Sequence, residues 1–501
     1  MRRARLFGIS TSAFIIATAG AASAATLRVG PGKTYAKPCA AIAAAKGGDT
    51  IEIDAAGNYA GDVCAIAPNN LVIKGVNGRA KIDAAGKAYG GKAIWVIQGN
   101  NTTVENIEFS GATVKDQNGA GIRQEGTNLT VRGCSFHDNE DGILAGDDPN
   151  STILIEYSEF NHNGYGDGYS HNLYINHVKK FVFQYNWSHR AKIGHLLKSR
   201  AAETDVLYNR LTGESDGTES YEVDFPNGGK TYVIGNLIEQ GTKTDNPTLL
   251  TYQEEGTNAA NPDHRLFVVN NTFVNDKGSG TFVRLGSSVN TPAVIKNNIF
   301  QGGGTVTNQG NATLANNYSG GKTCLVGAAS FDYHLAAGTP CVDGGAAPGT
   351  GAGFALTPKY QYVHPTGREN RSSVGTIDIG AYELGGGSAG SGGTGGSGTG
   401  GSGTGGSGAG GSGTGGAGAG GSATGGSGSA GTGGSATGGS AGSSGNTGGS
   451  AGNAAAGAYG NAASSGDSGG CGCRAAGHEQ SGAPWWLASL ALFGVAIRRR
   501  R

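Results

Sequence analysis

The sequence predicts an all-β chain built as a solenoid of stacked coils, and three observations carry that prediction. First, a phrase recurs: Val-Leu-Tyr-Asn-Arg-Leu at 206–211, Val-Ile-Gly-Asn-Leu-Ile at 233–238, Val-Val-Asn-Asn-Thr-Phe at 268–273 and Val-Ile-Lys-Asn-Asn-Ile-Phe at 294–300. Second, alignment of these phrases gives a column of Ile107, Cys134, Ser158, Asn186, Asn209, Asn236, Asn271, Asn298 and Asn317, spaced by 27, 24, 28, 23, 27, 35, 27 and 19 residues. An apolar column follows two residues later, at Phe109, Phe136, Phe160, Leu211, Ile238, Phe273 and Phe300, with Ser188 the exception. Third, the segments are β-branched, carry no 3.6-residue stripe and are divided by Gly, Asn and Asp turns. A period of 20–50 residues with these properties marks a repeat architecture of β-coils.

The chain has 501 residues and divides by composition. Residues 1–24 read as a secretory signal: Met1-Arg2-Arg3 and Arg5 supply positive charge, an apolar run surrounds Phe14–Ala19, and Ala22-Ser23-Ala24 fits the small-residue cleavage rule. Export implies an environment in which disulfides persist. Of seven cysteines, Cys39 and Cys64 flank the first coils, and Cys324 and Cys341 flank the last, so two local disulfides are candidates. Cys134 falls in the inward column and reads as a buried thiol. The formal net charge is zero, which gives no electrostatic case for a nucleic-acid partner.

The solenoid domain is expected over 25–384. An alanine-rich segment, Ala40–Lys46, reads as a short helix stopped by Gly47-Gly48-Asp49-Thr50, and Ile51-Glu52-Ile53 begins a strand by alternation. A helix there caps the first coil, whose stacking face and strand edges would otherwise be open. Roughly ten coils follow from Leu71 to Tyr318, a rod on the order of 50 Å long at about 4.8 Å per coil. An inward Asn repeated at one bend can bond to the coils above and below, so the Asn column reads as an internal ladder rather than as chemistry.

The stacking column, with the opening Pro-Gly…Ala-Ala-Lys-Gly-Gly-Asp-Thr-Ile, resembles the right-handed parallel β-helix superfamily of pectate-lyase-like proteins. The closing segments, Phe331-Asp-Tyr-His-Leu…Gly-Thr-Pro-Cys341-Val-Asp-Gly-Gly and Asp378-Ile-Gly-Ala-Tyr-Glu383, resemble the C-terminal part of many secreted β-helix proteins. The resemblance covers about 26–384.

Residues 385–470 hold 41 of the 96 glycines and one charged residue, Asp467, so they read as a Gly/Ser/Ala tether with an r.m.s. reach of roughly 50 Å. Residues 471–501 contain Cys471-Gly-Cys473-Arg, an apolar stretch Ala483–Ile497 and Arg498–Arg501. The stretch is short for a spanning helix, and its basic end favours the cytoplasmic side. The order of linker, Cys motif, short helix and basic end resembles the myxobacterial class of C-terminal sorting signals. That resemblance implies processing near Cys471 and Cys473 by a sorting protease and attachment at the cell surface; the alternative is an ordinary C-terminal membrane anchor. Either way the expected location of the β-helix is outside the inner membrane.

Six of ten histidines lie between 137 and 195: His137, His162, His171, His177, His189 and His195. Lys198, Arg200, Glu214, Asp216, Glu219, Glu222 and Asp224 follow. His171, His195 and Tyr221 are 24 and 26 apart, as are Tyr174, Lys198 and Asp224, so each trio is expected to stack as a column. The two-residue strand period permits Glu222 and Asp224 on one face with Val223 inward; the parity of 194–200 is open. β-Elimination in a uronic-acid polymer needs a cation for the carboxylate, a base for the C5 proton and an acid for the leaving oxygen. Arg200 suits the first role, Lys198 or a histidine the second, and Tyr174 or Tyr221 the third. Glycoside hydrolysis would instead use Glu222 and Asp224 as paired carboxylates. Calcium is a candidate cofactor, with Asp138, Glu140, Asp141, Asp147 and Asp148 as possible oxygen ligands, although no calcium-loop spacing is present. No zinc motif accompanies the histidines.

Leu196-Leu-Lys198-Ser199 followed by Tyr208-Asn209 resembles the Lys-Ser strand and next-coil Asn of the chondroitinase-B and alginate-lyase family, where the lysine is the base. The family's arginine on the following coil is replaced here by Tyr221-Glu-Val-Asp224, and its upstream acid by the neighbourhood of Ile193 and His195. No polygalacturonase carboxylate motif and no pectate-lyase Arg-Pro signature is present. Two functions are therefore expected to compete: an enzyme of acidic polysaccharide, lyase-like in its chemistry, and a non-enzymatic adhesin or glycan-binding β-helix.

Overall fold

A computed structural model describes residues 24–320 and 323–385. Most of the signal, nearly all of the tether and the whole sorting segment lie outside the described residues. Between Thr26 and Ala315 the chain winds through three sheets of twelve, ten and nine strands, every neighbouring pair parallel. Each of the nine central coils contributes one strand to each sheet, the end coils fewer, and the apolar side chains of all three faces meet in one continuous core. The expected all-β solenoid is therefore the observed one, and the α-helix found among the described residues is its cap.

That helix spans Pro38–Ala44, two residues earlier than the alanine content suggested. Pro38 explains the shift: at a first helical turn its missing N–H costs nothing and its fixed φ is already helical. Ala41 and Ile42 face the core, and a Cys39–Cys64 disulfide ties the helix to the first strand of the ten-stranded sheet, Cys64–Ile66. At the far end Cys324 pairs with Cys341. Cys134 is a buried thiol, pushed up to about 12 by its burial.

The Asn column is a hydrogen-bond ladder. Asn209 Oδ1 accepts from the Asn186 backbone N–H at 2.9 Å and from Asn186 Nδ2 at 3.1 Å, while Asn209 Nδ2 donates to the Phe183 carbonyl at 2.8 Å. The same arrangement repeats at Asn236, Asn271, Asn298 and Asn317. Immediately before each column position the backbone turns left-handed, at Asn106, Gly133, Tyr157, Tyr185, Tyr208, Gly235, Asn270, Asn297 and Asn316, with φ between 50 and 69°. Gly and Asn tolerate that region well. The three tyrosines do not, but they stack on one another at 5.0 and 5.7 Å. The hairpin Tyr360–Val363/Gly367–Asn370 closes over them, with the Arg368 guanidinium 3.9 Å from the Tyr360 ring centroid and 4.9 Å from that of Tyr185.

A second, shorter ladder occupies another bend. Asn139 receives the Ala112 N–H, Asn163 receives both nitrogens of Asn139, and Asn172 receives both nitrogens of Asn163, at 3.0–3.2 Å. Asn172 Nδ2 donates onward to Ser188 Oγ at 3.1 Å and to the His189 carbonyl at 2.9 Å. Ser188 is thus the position where the stacked ring column (Phe109, Phe136 and Phe160, centroids 5.0 and 4.9 Å apart) gives way to a polar acceptor. This ladder leads directly beneath the strand His195–Ser199.

Candidate active site

The ten-stranded sheet carries the candidate residues on its outer face. Its register places Tyr174 opposite Lys198, Lys198 opposite Asp224, Asp224 opposite Thr251 and Thr251 opposite Arg284. Beside that row, His195 pairs with Tyr221, their ring centroids 5.0 Å apart, and His171 stacks on His195 at 4.4 Å. The strand His195–Ser199 has no simple alternation: Leu196 and Leu197 both enter the core, which leaves His195 and Lys198 side by side outside. That doubled inward turn resolves the parity the sequence left open.

Around Lys198 the groups form one connected network. Its Nζ lies 3.6 Å from Asp224 Oδ2, 3.6 Å from Glu255 Oε1 and 5.7 Å from the centre of the Tyr174 ring. Arg200 uses all three guanidinium nitrogens: Nε donates to the Tyr174 hydroxyl at 2.9 Å, Nη1 to Asn227 Oδ1 at 2.5 Å and Nη2 to Glu255 Oε2 at 2.6 Å. Asp224 receives the Thr251 hydroxyl at 2.5 Å and stands 3.3 Å from His195 Nε2. His177 Nε2 reaches the same Asn227 oxygen at 3.2 Å.

Burial sets the electrostatics. Lys198 is 0 % and Arg200 7 % exposed, so these cations sit in a low-dielectric setting where their carboxylate partners count for more than at a surface. Burial alone would raise the Asp224 carboxyl, but the His195 hydrogen bond, the charges of Lys198 and His195 and the Thr251 hydroxyl outweigh it and hold it at about 2. His195 is lowered by burial against the opposing pull of Asp224. His171 falls well below the ordinary imidazole value through burial, then through His195, Lys198 and Arg200. Both rings are therefore neutral near pH 7. His171 Nδ1 accepts the His195 backbone N–H at 3.0 Å. His195, with Nε2 toward Asp224, keeps the proton there and leaves Nδ1 as an acceptor with no hydrogen-bond partner among the described residues.

Of the eight sequence candidates, His171, Tyr174, His195, Lys198, Arg200 and Asp224 come together and Tyr221 borders them. Glu222 does not join them. It is fully buried, its carboxyl raised well above the usual range by burial and then by Glu219, so it faces away from Asp224 and the two are not a carboxylate pair. The reason is again local: at the start of these strands two successive residues turn inward, which breaks the two-residue period.

The candidate calcium ligands disperse as well. Glu140 accepts the Val114 and Gly119 N–H groups, Asp141 the His171 N–H, and Asp148 the Thr127 hydroxyl and the Asn150 N–H. Asp138 and Asp147 stand beside His137 and His177 respectively. No group of three or more His, Cys, Asp or Glu side chains among the described residues is placed to hold a metal ion. His137 and His189 project from the nine-stranded sheet instead, toward Glu108 and Glu159, and His162 pairs with Asp216.

Sequence reasoning missed Glu255, Asn227 and Thr251. A signal for the first was present: the 35-residue interval between Asn236 and Asn271 is the longest in the column, and the surplus forms the loop that carries Glu255.

Comparison with known proteins agrees with the architecture. The family described as "right handed beta helix region" matches residues 69–238, a span that includes the strands bearing Tyr174, Lys198 and Asp224. Among solved structures the chain is similar to that of the pectate lyase Pel9A, with a TM-score of 0.50 and 13 % identity over 72 % of this chain and 97 % of that one. No curated protein sequence matches. The described chain is a parallel β-helix whose fold is similar to that of a pectate lyase.

Proposed function

We propose that this β-helix is an exported, surface-attached protein that cleaves an acidic polysaccharide by β-elimination on the outer face of its ten-stranded sheet. The observation that carries the reading is the register row Tyr174–Lys198–Asp224 with His195 and Arg200 at its side, because it assembles each function that elimination requires. The similarity to a pectate lyase supports the substrate class. Lys198 and Arg200 bind and neutralise the uronate carboxylate, which acidifies the adjacent C5 proton. His195, oriented by Asp224 in the manner of a hydrogen-bonded base, takes that proton through Nδ1. The electron pair forms the C4–C5 double bond as the C4–O bond breaks. Tyr174 gives its phenolic proton to the departing oxygen, and the Arg200 Nε–H supports the phenolate until the proton returns from His195 through solvent.

Export rests on residues 1–24, and surface attachment on the tether 385–470 and on Cys471, Cys473 and the apolar stretch after them. Its partners would be the glycan, the membrane and a sorting protease.

One observation favours a second reading, a non-catalytic glycan-binding β-helix: the network is closed, every cation in it already facing a carboxylate. Incubation of the full-length protein with a panel of uronate polymers separates the two. New ultraviolet absorbance from the unsaturated uronate, together with new reducing ends, is expected, and it should fall by about 10²–10⁴-fold in His195→Ala and Tyr174→Phe. Glycan binding without either product would overturn the catalytic reading and leave the binding one.

A further inference from the structure

We propose that Lys198 Nζ and the Arg200 guanidinium form a carboxylate subsite, and that Glu255 fills it in the unliganded chain as an internal surrogate for a sugar acid. The proposal rests on the acidic-glycan reading and deepens it. Glu255 presents one oxygen to each cation, Oε1 to Lys198 and Oε2 to Arg200, which is the arrangement a uronate carboxylate would adopt between the same two groups. The cations do not need Glu255 to hold their positions. Arg200 is fixed by Tyr174 and Asn227 through its other nitrogens, and Lys198 is set by Asp224 and by its strand register. The subsite is built, and Glu255 is the partner that can leave.

The chain around Glu255 is shaped for leaving. Gln253 and Asn261 are buried: Gln253 donates to Ser288, and Asn261 donates to the carbonyls of Arg200 and Asn227 at 3.3 Å. Between these anchors, residues 254–260 are exposed or half-exposed and belong to no strand. Their ties to the body besides the Glu255 carboxylate are few: the Glu255 N–H to the Pro226 carbonyl at 3.0 Å, Asn227 Nδ2 to the Gly256 carbonyl at 3.4 Å, and Glu254 to Arg284 at 2.8 Å. Gln253 and Gly256 sit at φ of 61 and 83°, the left-handed conformations in which a flap can turn sharply. The flap comes from the longest coil and reaches back 55 residues to Arg200. Long loops of this kind act as lids over sites.

An internal competitor lowers apparent affinity by the fraction of molecules in which it is displaced. Glu255→Gln keeps the size and removes the charge, so it should release the flap and tighten binding of acidic oligosaccharides. The test is calorimetric titration of the full-length protein and of the variant with uronic-acid tetrasaccharides and with their methyl-esterified forms. Hydrogen exchange of the amides of 254–260 is followed in parallel without ligand. The expected result is about tenfold or greater tightening for the acids in Glu255→Gln, none for the esters, and faster exchange in the flap. Unchanged or weaker acid binding in the variant would overturn the surrogate role while leaving the acidic-glycan reading standing, as would unchanged flap exchange. Failure of both proteins to bind any acid, with exchange accelerated in the variant, would sink the acidic-glycan reading and the subsite with it, leaving Glu255 as a structural latch.

Discussion

The Ser188 hydroxyl donates to the Leu196 carbonyl at 2.7 Å, one residue from His195 and two from Lys198, while its oxygen receives Asn172 Nδ2. The gap in the aromatic column is therefore the point at which the internal ladder is joined to the candidate site. Ser188→Ala removes a buried donor and leaves an Asn172 donor with one partner fewer. The expected cost is about 1–3 kcal/mol of stability. A larger loss is expected from Asn209→Ala, which breaks contacts to the coils on both sides. Thermal unfolding of the two variants checks the order. A Ser188→Ala melting point equal to that of the parent would remove the ladder–site connection.

The fold was legible because its main signal is one-dimensional. A column of Asn residues with β-branched and aromatic neighbours can be read without knowing any side-chain direction, and the Asn209 ladder follows from it. The site was legible in its rows, since 24- and 26-residue spacings give coil register directly, and Tyr174, Lys198 and Asp224 do lie in one row. What escaped was facing. Leu196 and Leu197 both point inward, as do Glu222 and Val223, and no two-residue period predicts a doubled inward turn. Glu255 escaped for a different reason: it comes from another coil and meets Arg200 only because its loop folds back across Pro226 and Asn227.

His195 and Asp224 give a pH prediction whose sign is fixed by their pairing. Activity that requires neutral His195 is retained above its depressed pKa and lost as the pH falls through it. Asp224 opposes that depression, so Asp224→Asn should move the acid limb of the pH–rate profile to lower pH while reducing the rate overall. An acid limb that stays in place or moves upward in this variant would exclude His195 as the titrating base.

Arg371 and Glu383 form an ion pair at 2.9 Å with both side chains 1 % exposed, and Arg371 also donates to the carbonyls of Gly380 and Asp378. Through Asn270, which donates to Asp378 and Gly380, this pair fastens the closing segment to the bend of the main ladder. Arg371→Met leaves Glu383 buried without its cation and should cost about 3–5 kcal/mol. The double variant Arg371→Met/Glu383→Gln should recover part of that loss. Equal destabilisation of the single and double variants in urea titrations would show that the lost hydrogen bonds, not the stranded charge, dominate.

The interior acids make stability fall as the pH rises. Burial lifts the Glu219 carboxyl to about 7 and the Glu239 carboxyl to about 8, the latter with further repulsion from Glu219. In the unfolded chain both groups ionise near the ordinary glutamate value of about 4.3. Below that pH both states hold the protons and these groups contribute no difference. Between roughly pH 4.5 and 8 the unfolded chain has released protons that the folded chain still holds, so the unfolding free energy declines with pH and levels off above the folded values. Each tenfold gain in proton affinity on folding corresponds to about 1.4 kcal/mol, so the two groups together account for on the order of 9 kcal/mol. Glu239→Gln removes one titration outright and lowers the other's neighbouring charge, so it should flatten the decline. Urea midpoints measured at about pH 5 and about pH 8.5 for the parent and this variant supply the check. A parent midpoint that rises with pH would contradict the assignment of these carboxyls as protonated in the folded coil.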